Sequence, residues 1–248
     1  MTISTIDESQ RKVARVGKAA RIAGFTFLFY IAAGIASLIL FSRAPDAEGI
    51  AAKLASIAQH TTEMRVSVLL SLPICFSALV LGVTLYSITR EQDPTLAMLA
   101  MICRVAEGLV GIFFPTTLGL LWLATSTSAQ ALDIGAVNAL SAFLLQMGAW
   151  SLSAIFFAVG STLFSWLLLR GRMIPVALAW LGVLASVLLV VILPLQLAGL
   201  FGGSVNWSGP VTWLMWLPML VFEVALALWL LIKGVAMPTP NVASSRAD

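Results

Sequence analysis

A chain of 248 residues is long enough for one or two soluble domains, but its composition leaves no material for a soluble surface. Apolar residues make up 60% of it and charged residues 10%, with a mean hydropathy of +1.01, against roughly 25% charged in an ordinary soluble domain. Fourteen bases and eleven acids cannot coat a fold this size, and stretches such as 66–88 hold none of them.

The first ten residues are polar. Five bases follow, Arg11, Lys12, Arg15, Lys18 and Arg21, immediately before an apolar run at 22–41. Bases in that place are cytoplasmic topology signals beside anionic lipid. With no zinc-finger spacing or helix-turn-helix pattern beside them, they do not make a nucleic-acid binder, despite a net charge of +3. Twenty uncharged residues at 22–41 can cross a hydrocarbon core of about 30 Å as one helix. A secretory signal would have a shorter apolar region and a cleavage pattern, so this run reads as a retained span.

The connection at 42–65 is the longest polar one. Ile50, Leu54, Ile57 and Met64 recur in it at near-helical spacing, with Lys53, Gln59, His60 and Glu63 between them. That pattern predicts a short amphipathic helix in the first outer loop, started by Pro45 and Asp46. His60 reads as an ordinary polar-face residue. The next span is expected at about 66–88, followed by a turn in which Asp93 caps and Pro94 opens the next helix. Further spans are expected at about 96–122, 148–169, 174–197 and 211–232, before a polar tail at 234–248. Pro73, Pro115, Pro194 and Pro218 read as kinks inside these helices. Runs of about twenty residues are too long for the alternating ten-residue strands of a membrane barrel.

The expected architecture is therefore all-α: a six-span transmembrane bundle at 22–233 with both termini cytoplasmic, in the inner membrane. With the N-terminus inside, ten bases fall on the cytoplasmic side and three (Arg43, Lys53, Arg65) outside, which sets that orientation.

Three charges lie within the spans: Arg104, Glu107 and Glu223. At 1.5 Å per residue from the cytoplasmic span ends they come at about 12, 16 and 14 Å, with Tyr30 at a similar depth. A charge facing lipid costs at least about 2.5–3.5 kcal/mol, so these groups should turn inward and pair. The expectation is that Arg104 bridges Glu107 and Glu223, its planar fork serving two carboxylates, while Tyr30 adds a hydroxyl. Two readings stand side by side. The cluster is a packing lock in a structural or sensory partner protein, or it binds a small molecule, ion or proton for transport. Two acids against one base leave a negative charge or a proton to accommodate.

An enzyme is not expected. His60 is the lone histidine, there is no His/Cys cluster for metal or haem, and no phosphate-binding loop, so no cofactor is implied. Cys75 and Cys103 sit in apolar runs as small buried side chains without a disulfide. Trp207, Trp213 and Trp216 read as interface anchors. Gly24, Gly34, Gly108, Gly111, Gly148 and Gly160 would let helices approach closely. Beyond the bilayer itself, a small molecule, a proton and a second copy of the chain stand as candidate partners.

The segments "ARIAGFTFLFYIAAGI" at 20–35, "EMRV" at 63–66, "CRVAEGLVG" at 103–111, "IPVALAWLGVLAS" at 174–186 and "FEVALALWLLIKGV" at 222–235 carry a resemblance. The chain resembles the DUF4386 family of bacterial multi-spanning membrane proteins over most of its length. The resemblance implies a membrane bundle and no biochemical role, and its recurring polar positions are matched by Arg65, Arg104, Glu107 and Glu223. One position departs: Val176 stands where members carry a base after the proline, with Arg172 on the other side of Pro175.

Overall fold

An apolar chain in lipid has no water to satisfy its backbone, and helices solve that within each segment. The structure, a computed structural model, describes residues 3–43, 48–111, 114–126, 133–146, 150–200 and 210–236, and the regular elements among them are helices. They are α1 (Ile3–Arg43), α2 (Ile50–Gln59), α3 (Thr61–Thr89), α4 (Pro94–Val110) and α5 (Phe114–Thr125). Then come α6 (Ile134–Gln146), α7 (Trp150–Arg170), α8 (Val176–Leu197) and α9 (Pro210–Ile232). Five of them, α1, α3, α7, α8 and α9, are long and apolar enough to cross a membrane, and α5 and α6 are shorter apolar helices. The chain is a polytopic membrane-helix bundle.

The continuous helix expected at about 96–122 is instead two helices. α4 ends at Val110, where the Gly111 N–H closes the last turn on the Glu107 carbonyl at 2.8 Å, and α5 starts at Phe114. A proline at position 115 has no N–H to give a continuing helix, and its ring excludes the carbonyl four residues back. Pro115 falls in the first turn of α5, where a proline costs nothing, whereas Pro73, Pro194 and Pro218 lie inside their helices as expected. At 17 residues, α4 is about 25 Å long, shorter than a hydrocarbon core of about 30 Å.

Local chemistry sets the other ends. The Asp93 carboxylate accepts from the N–H groups of Thr95 (3.1 Å) and Leu96 (3.0 Å), and Pro94 fills the first turn where its missing N–H costs nothing. α2 forms over the expected stretch, while Pro45 and Asp46 lie outside the described residues. His60 sits at the joint between α2 and α3, its Nδ1 2.9 Å from the Ser56 carbonyl oxygen.

Six helices close a ring: α1 packs on α3, α3 on α4, α4 on α7, α7 on α8, α8 on α9, and α9 returns to α1. The main core fills it, with Phe27, Leu81, Phe157, Phe164, Met219 and Phe222 among its buried members. A second, smaller centre of Ile57, Met64, Leu120 and Leu121 holds α2, α5 and the start of α3 together, with Leu144 and Leu145 of α6 against it.

Small residues allow the close crossings, because without a hydrophobic drive between helices in lipid it is contact distance that holds them. A Cβ on Gly24 would lie 2.6 Å from the Ala227 carbonyl oxygen, one on Gly108 3.1 Å from that of Cys75, and one on Gly160 3.3 Å from that of Ala100. Gly34, expected to do the same, faces open space, and Gly148 lies outside the described residues.

These contacts generate a paired expectation on α1. Gly24→Ala forces a methyl against a backbone atom that cannot step aside and should lower stability by about 1–3 kcal/mol. Gly34→Ala meets nothing and should change it by no more than about 0.5 kcal/mol or raise it slightly. Thermal unfolding of the purified protein in detergent reads both, and equal losses would contradict the α1–α9 contact.

Candidate functional site

Arg104 and Glu107 lie three apart on α4, which puts both on the face turned into the ring. Arg104 is 1% exposed and Glu107 3%, and the guanidinium Nη1 stands 2.9 Å from the Glu107 Oε2. The two meet as a charge pair and not as an aligned hydrogen bond. From α1, 77 residues away in sequence, the Tyr30 hydroxyl donates to the Glu107 Oε1 at 2.7 Å. Ser153 of α7 donates to the Glu107 carbonyl oxygen at 3.0 Å. One residue of α4 thus ties α1 and α7 together.

Aromatic rings supply the rest of the guanidinium's surroundings. Its carbon lies 5.1 Å from the Phe157 ring centroid, 5.7 Å from Tyr30 and 5.9 Å from Phe27. Ring faces attract a cation most strongly where water is excluded, and a flat guanidinium fits between them as an ammonium would not. Phe157 in turn packs on Trp216 of α9, centroids 5.6 Å apart. Trp216 is thus a partly buried packing residue and not the interface anchor expected of it; Trp213 is 51% exposed, and Trp207 lies outside the described residues. The arginine stem passes two glycines: a Cβ on Gly82 would lie 3.3 Å from its Cβ, and one on Gly160 3.5 Å from its Cδ.

Glu223 is buried on α9, but the expected bridge from Arg104 to it is not formed. The guanidinium is taken up by its own helix neighbour and three rings. The two residues face one small cavity that also touches Ser161 and Ser165 of α7 and has room of about 10 Å³. There the Glu223 Oε1 and the Arg104 Nε and Nη2 have no hydrogen-bond partner. That volume sits at the lower limit for a single water. The expected layer is also altered by the broken helix, since Arg104 and Glu107 belong to the short α4 and not to a full-length span.

Of the expected cluster, then, Arg104, Glu107 and Tyr30 are in direct contact, and Glu223 shares a cavity wall with them. Arg65 is separate and exposed on α3. Cys75 and Cys103 are free and buried. Phe27, Phe157, Ser153 and the two cavity serines were not foreseen. Phe27 could have been, since it precedes Tyr30 by one helical turn on the same face; nothing in the sequence singles out the others.

A family model described as a domain of unknown function (DUF4386) matches residues 22–234. No curated protein and no solved structure matches. The match runs from the first apolar run to the end of the last, and on it the chain belongs to the DUF4386 family.

Proposed function

We propose that the chain is a six-span, non-catalytic protein of the cytoplasmic membrane that acts as a structural or sensory partner, its Arg104–Glu107–Tyr30 centre locking helices and carrying no substrate. In this reading α4 is the sixth crossing, which its packing against both α3 and α7 and the chain's resumption as α5 beyond it support. The excess of bases beside 22–41, at Arg90, at Arg170 and Arg172 and at Lys233 supports an orientation with both termini in the cytoplasm. α2 then lies at the outer surface, where its alternating polar face suits the headgroups.

The observation that carries this reading is the cavity where Arg104 and Glu223 meet. It has room of about 10 Å³ and is walled by Phe27, Phe164, Met219, Phe222 and Leu226. A permeation or binding route needs a chain of waters or a ligand-sized space, and ligand pockets run to about 300–1,000 Å³. A filled aromatic shell around a paired arginine is what a lock requires. Ionised groups kept dry in this way contribute register more than net stability.

A second reading, a site linked to a proton or a small ligand, has one observation in its favour. Glu223 Oε1 and all three guanidinium nitrogens of Arg104 are buried without hydrogen-bond partners, and both residues line the same cavity.

Two measurements separate these readings. Under the lock, Glu107→Ala strands a buried guanidinium and should cost about 3–5 kcal/mol, whereas the double change Arg104→Met, Glu107→Leu removes both charges and should recover most of it. Thermal unfolding in detergent reads the difference; a double variant no more stable than the single one argues against the lock. Water access is read directly by Ser161→Cys in a background with Cys75→Ala and Cys103→Ala. The lock expects no modification by a charged maleimide from either side of sealed vesicles, and rapid modification from one side overturns it in favour of the ligand site.

A further inference from the structure

At the other end of the α1–α9 contact, a second cavity with room of about 130 Å³ lies between the N-terminal half of α1 and the end of α9. Arg21 of α1 and Lys233 beyond α9 line it, with Val13, Gly17, Gly234 and Val235 among its other walls. We propose that this cavity binds the phosphate headgroup of an anionic membrane lipid, held between Arg21 and Lys233.

Charge supports the assignment. Other bases near this face are matched with acids: Lys12 pairs with Glu91 at 2.7 Å, and Arg170 approaches Asp93 at 3.8 Å. Among the described residues no carboxylate pairs with Arg21 or Lys233. Both bases are exposed and line one cavity, and a phosphate diester there has the charge and the acceptor oxygens for both. An arginine and a lysine suit it in complementary ways, one through its fork and the other as a point charge.

Position supports a lipid over a free anion. Arg21 is the last charge before the apolar run of α1, and Lys233 is the first after that of α9, so both mark one boundary of the hydrocarbon. From Arg21 an exposed apolar track runs into the membrane along α1: Phe25, 66% exposed, and Phe29, 44% exposed, stack with centroids 6.5 Å apart. Ile232, 74% exposed, faces lipid at the end of α9. A headgroup in the cavity therefore places its acyl chains against apolar surface. In the orientation proposed above, the lipid belongs to the cytoplasmic leaflet. Binding itself does not depend on that orientation, nor on the role of Arg104.

Gly17 gives the test a variant that leaves both charges in place. A Cβ there meets nothing within 4 Å and Gly17 lines the cavity, so Gly17→Leu starts without a clash and takes up cavity space. The full chain is purified in an uncharged detergent and titrated with phosphatidylglycerol, phosphatidylcholine or inorganic phosphate, and retained lipid is counted by native mass spectrometry. One saturable phosphatidylglycerol is expected, displaced by neither phosphatidylcholine nor millimolar phosphate. Arg21→Gln with Lys233→Gln should weaken it by at least about tenfold, with Gly17→Leu acting in the same direction. Arg15→Gln, exposed on α1 and outside the cavity, should leave it within about twofold. Equal losses from Arg15→Gln and from the Arg21, Lys233 pair would reduce the effect to diffuse surface charge and overturn the site. So would unchanged binding in Gly17→Leu. Displacement by inorganic phosphate alone would overturn the lipid assignment.

Discussion

A guanidinium without water must find its counter-charge and its contacts inside the protein, and Arg104 imposes that demand on the whole bundle. At 1% exposure it cannot extend to a headgroup, so its neighbours are chosen for it. Glu107 supplies the charge, Tyr30 fixes that carboxylate, and the rings of Phe27, Tyr30 and Phe157 cover the remaining surface. These contacts come from α1, α4 and α7, and through Trp216 they extend to α9. Leucine against leucine can slide by a turn at little cost. A charge that faces one carboxylate and three rings cannot, and this is the physical ground for the register role proposed above.

Most of the fold was legible because a membrane span is written in a coarse code. Length and absence of charge identified the helices that became α1, α3, α7, α8 and α9 without any knowledge of their contacts. The same code was blind to the break between α4 and α5. The stretch there, "GLVGIFFPTT", is apolar on both sides of the interruption, so hydropathy does not register it. The informative residue was Pro115, which cannot give an N–H to a continuing helix, though Pro73, Pro194 and Pro218 share that lack and lie inside theirs. Reading Pro115 as a kink missed the break.

The site was half legible for a related reason. Spacing along one helix fixed the Arg104–Glu107 pair, and depth counting placed Tyr30 near it. Distances across the bundle depend on helix rotation and on which side chain claims the guanidinium first, and neither is written in a depth count. Glu223 came to the right neighbourhood and stopped at the cavity wall. Of the rings that took its place, Phe27 lies one turn before Tyr30 on the same face, whereas Phe157 is one among 13 phenylalanines with no local pattern to mark it.

Closure of the ring by α1 and α9 bears on how the protein is made. If α4 crosses as proposed above, ribosomes deliver it to the translocon well before the last helix exists, so for a time the arginine would enter lipid with no help from Glu223 or Trp216. Its carboxylate partner, one turn further along the same segment, travels with it. Tyr30 and Phe27 have already been synthesised by then, on the first helix. The carboxylate and two of the three rings thus precede the guanidinium or follow within a turn, while Phe157 of α7 and the contacts from the end of the chain complete the wall later.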